Sequence, residues 1–147
     1  MAAPDPERIA VWRSFLTTHS LLHKALTEAL FNERELSLVW FEVLNALQLA
    51  GGRVRVMDLA EHLVVSPSSL SRQLTRMEEH EYIRRERARP DDQRVVVVVL
   101  TKQGRATWRR ANTTYQRVLK RYFLSKLTES DVASMQRALS KVIDGLG

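Results

Sequence analysis

No cysteine occurs among the 147 residues, so the chain itself can supply no disulfide, thiolate zinc centre, iron–sulfur cluster or thiol redox sensor. Glycine (5) and proline (4) are sparse, and no phosphate-cradling glycine loop is present. No apolar run approaches the roughly 20 residues of a membrane span. The opening MAAPDPERIAVW carries acidic residues and no apolar core, so it is not expected to act as a secretory signal. With no Cys nucleophile, and with histidines on helix stripes or beside turns, neither catalysis nor a cofactor is expected. These absences predict a cytoplasmic protein without a membrane partner.

What is present is basic charge and helical periodicity. Lys plus Arg number 23 against 17 Asp plus Glu, a net charge of +6, and the pI is about 10.2, which favours a polyanionic partner. The length fits one domain, residues 1–147, with a modest core. Asp5-Pro6 is a helix start signal, and Ile9, Trp12, Phe15, Leu16, Leu22, Leu26 and Leu30 form a broad apolar stripe to Phe31. Ser37 can cap a second helix, Leu38 to Leu49, apolar almost all round and ended by Gly51-Gly52. Arg53 to Val56 alternates as a short strand does.

Two short helical patterns follow, Asp58 to Val64 and Pro67 to His80, joined by a tight turn whose Ser66 is an N-cap and whose Pro67 stands at the first helical position. Tyr82 to Arg87 reads as an exposed strand, Pro90-Asp91-Asp92 as a turn, and Val95 to Leu100 as a second strand of stiff β-branched residues. Together they predict a two-stranded ribbon. Thr101 caps a long helix to Lys126 with eight Lys or Arg and no acidic residue. Thr128-Glu129-Ser130-Asp131 opens a last helix with a capping-box pattern. The class is mainly α with a small β-wing (α+β).

Two helices, a tight turn and a ribbon make a winged helix-turn-helix, whose second helix can lie in the major groove of DNA. With Leu70, Leu74 and Met77 buried, steps of about 100° per residue put Ser68, Arg72, Thr75, Arg76 and Glu79 on the opposite face. Arg can bond a guanine edge with two hydrogen bonds, while short hydroxyls reach phosphates or base edges. The plainer alternative is the solvated face of an ordinary helix. At the wing, Arg87, Arg89 and Arg94 flank the turn, a shape suited to the minor groove. Asp92 is placed to orient Arg94; the alternative there is a surface ion pair of little energetic consequence.

The segments Leu59-Ala60-Glu61 to Arg85, Arg89 to Arg94 and Leu100-Thr101-Lys102-Gln103-Gly104 resemble the MarR (multiple-antibiotic-resistance regulator) family of transcription regulators. The most specific part is Asp92, Arg94, Leu100, Thr101 and Gly104. The resemblance implies a winged helix-turn-helix with N- and C-terminal dimerisation helices: a DNA-binding region at 36–100 and helical dimerisation regions at 5–31 and 101–147. It implies a homodimer on a pseudopalindromic double-stranded operator. Ser68, Ser69, Ser71, Arg72, Thr75 and Arg76 would then face the major groove, with Asp92 and Arg94 setting the wing in the minor groove. Unmet burial on the terminal helices independently favours a dimer. The family often has glycine where this chain has Val64 and Glu81, which predicts either another turn conformation or backbone strain.

Regulators resembling this chain often bind small anionic aromatics, which makes Trp12, His19, His23 and Trp40 candidate effector residues and a repressor released by such an effector the expected role. On the residues alone, His19 and His23 admit three readings: buried histidines bonded to neighbours, pocket polar groups, or two ligands of a metal lacking a clear third and fourth. The competing function is a winged-helix interaction module acting on another regulator without touching DNA.

Overall fold

The computed structural model describes residues 2–147, with the backbone only at positions 92 and 93. Its elements run α1 (Pro6–Arg34), α2 (Leu38–Leu49), β1 (Arg53–Arg55), α3 (Val56–Leu63), α4 (Pro67–Glu79), β2 (Ile83–Arg89), β3 (Asp92–Leu100), α5 (Lys102–Tyr122), a single 3-10 turn (Leu124–Lys126) and α6 (Glu129–Leu146). The fold is mainly helical with one small antiparallel sheet. Among the described residues no helix is long and apolar enough to cross a membrane.

Two compact units result, one of residues 27–115 and one of residues 1–26 with 116–147. In the first, α2 and α3 pack on β3, and α4 packs on α3 and β2. Leu44, Leu47, Leu59, Leu74, Met77 and Val98 are at most 1% exposed at its centre. Phe41 stacks on Tyr115 with ring centroids 4.4 Å apart. The indole nitrogen of Trp108 donates to Asn45 Oδ1 (3.0 Å), and Arg34 Nε donates to the buried Thr114 Oγ1 (3.0 Å).

The ribbon has a third strand. β1 pairs with β3 in the register Arg53↔Val99 and Arg55↔Val97, and β2 pairs with the other edge of β3 from Ile83↔Leu100 to Arg89↔Asp92, with a register shift between Arg87 and Arg89. The order β1-β3-β2 explains the unbroken valine run. A central strand covered on both faces favours continuous apolar residues over alternation, and the adjacent Val97 and Val98 are both buried. The expected ribbon is present as β2 and β3, and the expected short strand at Arg53 joins it as a third. Both wing strands run further toward the turn than their apolar residues indicated, and β1 gives way to α3 at Val56, two residues before Asp58.

The local helix signals act as read. Ser37 Oγ accepts from Trp40 N, Ser66 Oγ accepts from Ser69 N (3.2 Å each), and Thr128 and Asp131 cap each other. Those last bonds, the one from the Thr128 backbone first, hold the Asp131 carboxyl below its ordinary pKa. The long basic helix ends at Tyr122 rather than Lys126, because Phe123 leaves helical geometry (φ −129°, ψ −66°) and a 3-10 turn follows.

α2, α3 and α4 all end in the same paired carbonyl cap. Gly52 N donates to Leu47 O, Val65 N to Ala60 O, and Tyr82 N to Met77 O (2.7, 3.0 and 3.1 Å), with shorter-range bonds from Gly51, Val64 and Glu81. This Schellman arrangement needs a left-handed residue, which glycine supplies without steric cost. Gly51 does so with φ 87°, but Val64 (φ 56°) and Glu81 (φ 62°) take the same conformation with a side chain. Of the two alternatives predicted for these positions, the structure selects strain.

In the second unit α1 begins, α5 ends, and α6 lies with its apolar residues uncovered. Leu26 and Val118 are its only buried side chains among the described residues. No residue of α6 is buried, and Ile143 is 64% exposed. The stripe on α1 is equally open at Val11, Trp12, Phe15 and Leu16.

Candidate nucleic-acid interface

α4 is an amphipathic helix whose apolar edge is anchored by the buried Leu70, Leu74 and Met77. Ser68, Ser69, Arg72, Thr75, Arg76 and Glu79 are exposed, and Ser71 is half-buried. The five residues that the face arithmetic put opposite the buried edge, Ser68, Arg72, Thr75, Arg76 and Glu79, are thus all exposed. The guanidinium groups of Arg72 and Arg76 have no partner among the described residues.

The wing projects as β2, a turn at Pro90-Asp91 and β3. Arg87, Arg89 and Arg94 are all exposed, and Arg87 stands opposite Val96 in the ladder. The anticipated bond from Asp92 to Arg94 involves a side chain outside the described residues.

Several arginines beside α4 and the wing are already engaged by carboxylates. Glu86 on β2 is held by Arg53 across the sheet and by Arg84 Nε (3.4 Å). The Arg53 bond is the main cause of the Glu86 carboxyl lying below its ordinary pKa. Arg85 is bound instead to α4. Its backbone N donates to Glu78 Oε2 (2.9 Å), its Nη2 to Glu78 Oε1 (2.9 Å) and Thr75 Oγ1 (2.9 Å), and its Nη1 to Ser71 Oγ (3.2 Å). Burial alone would raise the Glu78 pKa, but the bonds from Arg85 outweigh it and leave the carboxyl below its ordinary value.

Arg85 is a residue that sequence reading missed. Because it reaches Ser71, Thr75 and Glu78 on one stripe of α4, it ties that helix to the wing and occupies two of the hydroxyls expected to face outward. Thr75 also donates its proton to Ser71 O (3.0 Å), leaving no hydroxyl proton for another acceptor.

A second joint holds the far end of α4. Thr101 Oγ1 donates to Glu81 O (2.6 Å) and accepts from Gly104 N (2.9 Å). A Cβ at Gly104 would stand 2.0 Å from the Tyr82 carbonyl oxygen. Leu100-Thr101-x-x-Gly104 is thus a close-packed joint between wing, α4 and α5, and the glycine is there for lack of space.

Of the candidate effector residues, Trp12, His19 and His23 belong to one compact unit and Trp40 to the other. Trp12 stacks on Phe15, 6.0 Å between centroids. His19 and His23 lie 5.9 Å apart on the same helix, both exposed in the single chain. The apolar arc that carries them is open at Trp12, Phe15 and Leu16 and buried at Leu26 and Leu30. Among the described residues no group of three or more His, Asp or Glu is placed to hold a metal. Trp40 belongs to the other unit and supports α4: its Nε1 donates to Gln73 Oε1 (2.9 Å), and it meets His80 edge-on at 5.0 Å.

A model of the MarR family matches residues 35–94. The whole chain is similar to AbsC, a MarR family transcriptional regulator from Streptomyces coelicolor, with 30% identity over 99% of this chain and 98% of that one and a TM-score of 0.90. Sco3205, a MarR family regulator of the same organism solved in complex with DNA, is 26% identical over 99% and 91% of the two chains, TM-score 0.88. A mutant MarR from E. coli complexed with operator DNA is 25% identical over 95% and 99%, TM-score 0.78. No curated protein sequence matches.

Proposed function

The chain belongs to the MarR family of transcriptional regulators, and from that premise we propose that it is a homodimeric repressor that reads a pseudopalindromic DNA operator and is released by a small aromatic anion. In this reading residues 36–100 form the DNA-reading region, and the helical residues 5–31 and 101–147 form the dimer. The observation that carries it is the pairing of an exposed, cation-bearing α4 face with an arginine-bearing wing. α4 enters a major groove through Ser68, Ser69, Ser71, Arg72 and Arg76, with Thr75 at its edge. The wing enters the adjacent minor groove through Arg87, Arg89 and Arg94, with Asp92 beside it.

The dimer is supported by surface that a single chain leaves in water. An 18-residue α6 without one buried residue, together with the open stripe of α1, is the surface a symmetric partner covers. Trp12, His19, His23 and Trp40 are the residues proposed to respond to the effector. A ligand acts by favouring a spacing of the two reading helices that the operator does not accept. No chemical step is involved.

Selection from random duplexes followed by footprinting tests this reading. A two-fold symmetric site, with half-site centres about one helical turn apart, is the expected result. Failure to retain any duplex overturns it in favour of a winged-helix module that acts on another regulator.

A further inference from the structure

Between α4 and the foot of the wing lies a cleft of about 330 Å³, whose lining includes Arg55, Met57, Asp58, Ser71, Arg94 and Val96. Arg55 ends β1 opposite Val97 and is the N-cap residue of α3, with extended backbone at φ −66°, ψ 141°. The sheet therefore fixes its position while its side chain stays exposed, and among the described residues its guanidinium has no partner. Met57 beside it is 64% exposed.

We propose that this cleft seats the sugar–phosphate strand that separates the two grooves of the operator, and that Arg55 is its phosphate clamp. The inference rests on the reading that α4 and the wing enter adjacent grooves. If they do, one backbone strand must cross the space between them, and that space is the cleft. The lining suits such a strand: guanidinium groups for its anionic oxygens, and the side chains of Met57 and Val96 for the apolar faces of deoxyribose.

Ser71 completes the seat. Its oxygen accepts from Arg85 Nη1, so its proton remains available to a phosphate oxygen. Among the described residues Asp58 is the one carboxylate of the lining, and it disfavours an anion on its own side. A contact of this kind positions the protein along the duplex without reading bases.

The test uses the full chain, its Arg55→Ala and Arg55→Gln variants, and a duplex recovered by selection. Each neutralised phosphate contributes about 0.9 to the slope of log affinity against log salt. Both variants are expected to flatten that slope by about 1 per subunit and to weaken selected and scrambled duplexes alike, with unchanged base preference. A single methylphosphonate per half-site should then weaken the unsubstituted protein but not Arg55→Ala. An unchanged slope with an unchanged methylphosphonate pattern overturns the proposal, as does an altered base preference, which would make Arg55 a base reader. If the unsubstituted protein binds no duplex, the DNA-binding reading itself fails, an outcome separable from failure at Arg55.

Discussion

Replacing Val64 by glycine should stabilise this protein, although it removes a hydrophobic side chain. An L-residue in the left-handed region costs about 1–2 kcal/mol, and the β-branched Val64 sits there at φ 56°. The side chain is 89% exposed, so of the roughly 1.5–3 kcal/mol available from burying a valine only a few tenths are lost. The greater freedom of glycine in the unfolded chain gives back about 0.5–1 kcal/mol. The net expectation is a gain of about 0.5 kcal/mol, or roughly 1–2 °C in Tm for a chain of this size.

Val64→Ala keeps the Cβ and therefore most of the strain, so it should lie within about 0.3 kcal/mol of the unsubstituted protein. Urea unfolding at one fixed protein concentration is the appropriate assay, because dimerisation couples stability to concentration. An unchanged m-value would show that the variants differ in stability alone. If Val64→Gly unfolds at lower urea than the unsubstituted protein, or if glycine and alanine have the same effect, strain at the end of α3 is not the relevant term.

Gly104→Ala should cost about 3 kcal/mol, since its Cβ would meet a backbone oxygen at 2.0 Å; a thermal transition within a degree of the unsubstituted protein would contradict the close joint. Arg85→Ala should reduce operator affinity about tenfold or more and stability by about 1–2 kcal/mol. Arg85→Lys should restore little of either, because one ammonium cannot reach Ser71, Thr75 and Glu78 together; full rescue by lysine in a binding titration would show that only charge matters. Because the Glu78 pKa is lowered in the folded state, its contribution to stability is present above the ordinary value of 4.5 and fades as pH falls through the lower folded value. The stability difference between the unsubstituted protein and Glu78→Gln, followed by acid titration of urea curves, should shrink across that window; a difference independent of pH would refute the assigned linkage.

The parts of the fold that were legible in the sequence are those whose chemistry is local. Ser66-Pro67, Ser37 and the Thr128–Asp131 pair announce helix starts because a cap bonds only two or three residues away, and the burial of Leu70, Leu74 and Met77 follows from helical spacing. The central position of β3 was not legible, since it depends on the three-residue β1 lying more than 40 positions earlier. Arg85 was hidden for a similar reason. On an apparently exposed strand it resembled its neighbours Arg84 and Arg87, and only the packing of α4 against β2 turns it toward Glu78. The alternation of Arg53 to Val56 marked the short strand itself, but nothing local to it marked its pairing with β3.

The exposed α4 face and the wing arginines were recovered from periodicity and turn chemistry, because a helix face and a ribbon tip are set by the segment that carries them. The surroundings of His19 and His23 were not legible, since an apolar arc suggests burial without saying which molecule supplies the cover. Here that cover does not come from the chain itself, which is why the histidines remain exposed.

The central claim is that two copies hold their reading helices at a separation matched to one helical turn of duplex. Inserting about 5 base pairs, half a helical turn, between the selected half-sites moves one half-site to the opposite side of the duplex. Equilibrium titration should then show a loss of affinity of about 100-fold or more, with binding restored toward the original value by an insertion of about 10 base pairs. Equal affinity for all three duplexes would contradict the claim.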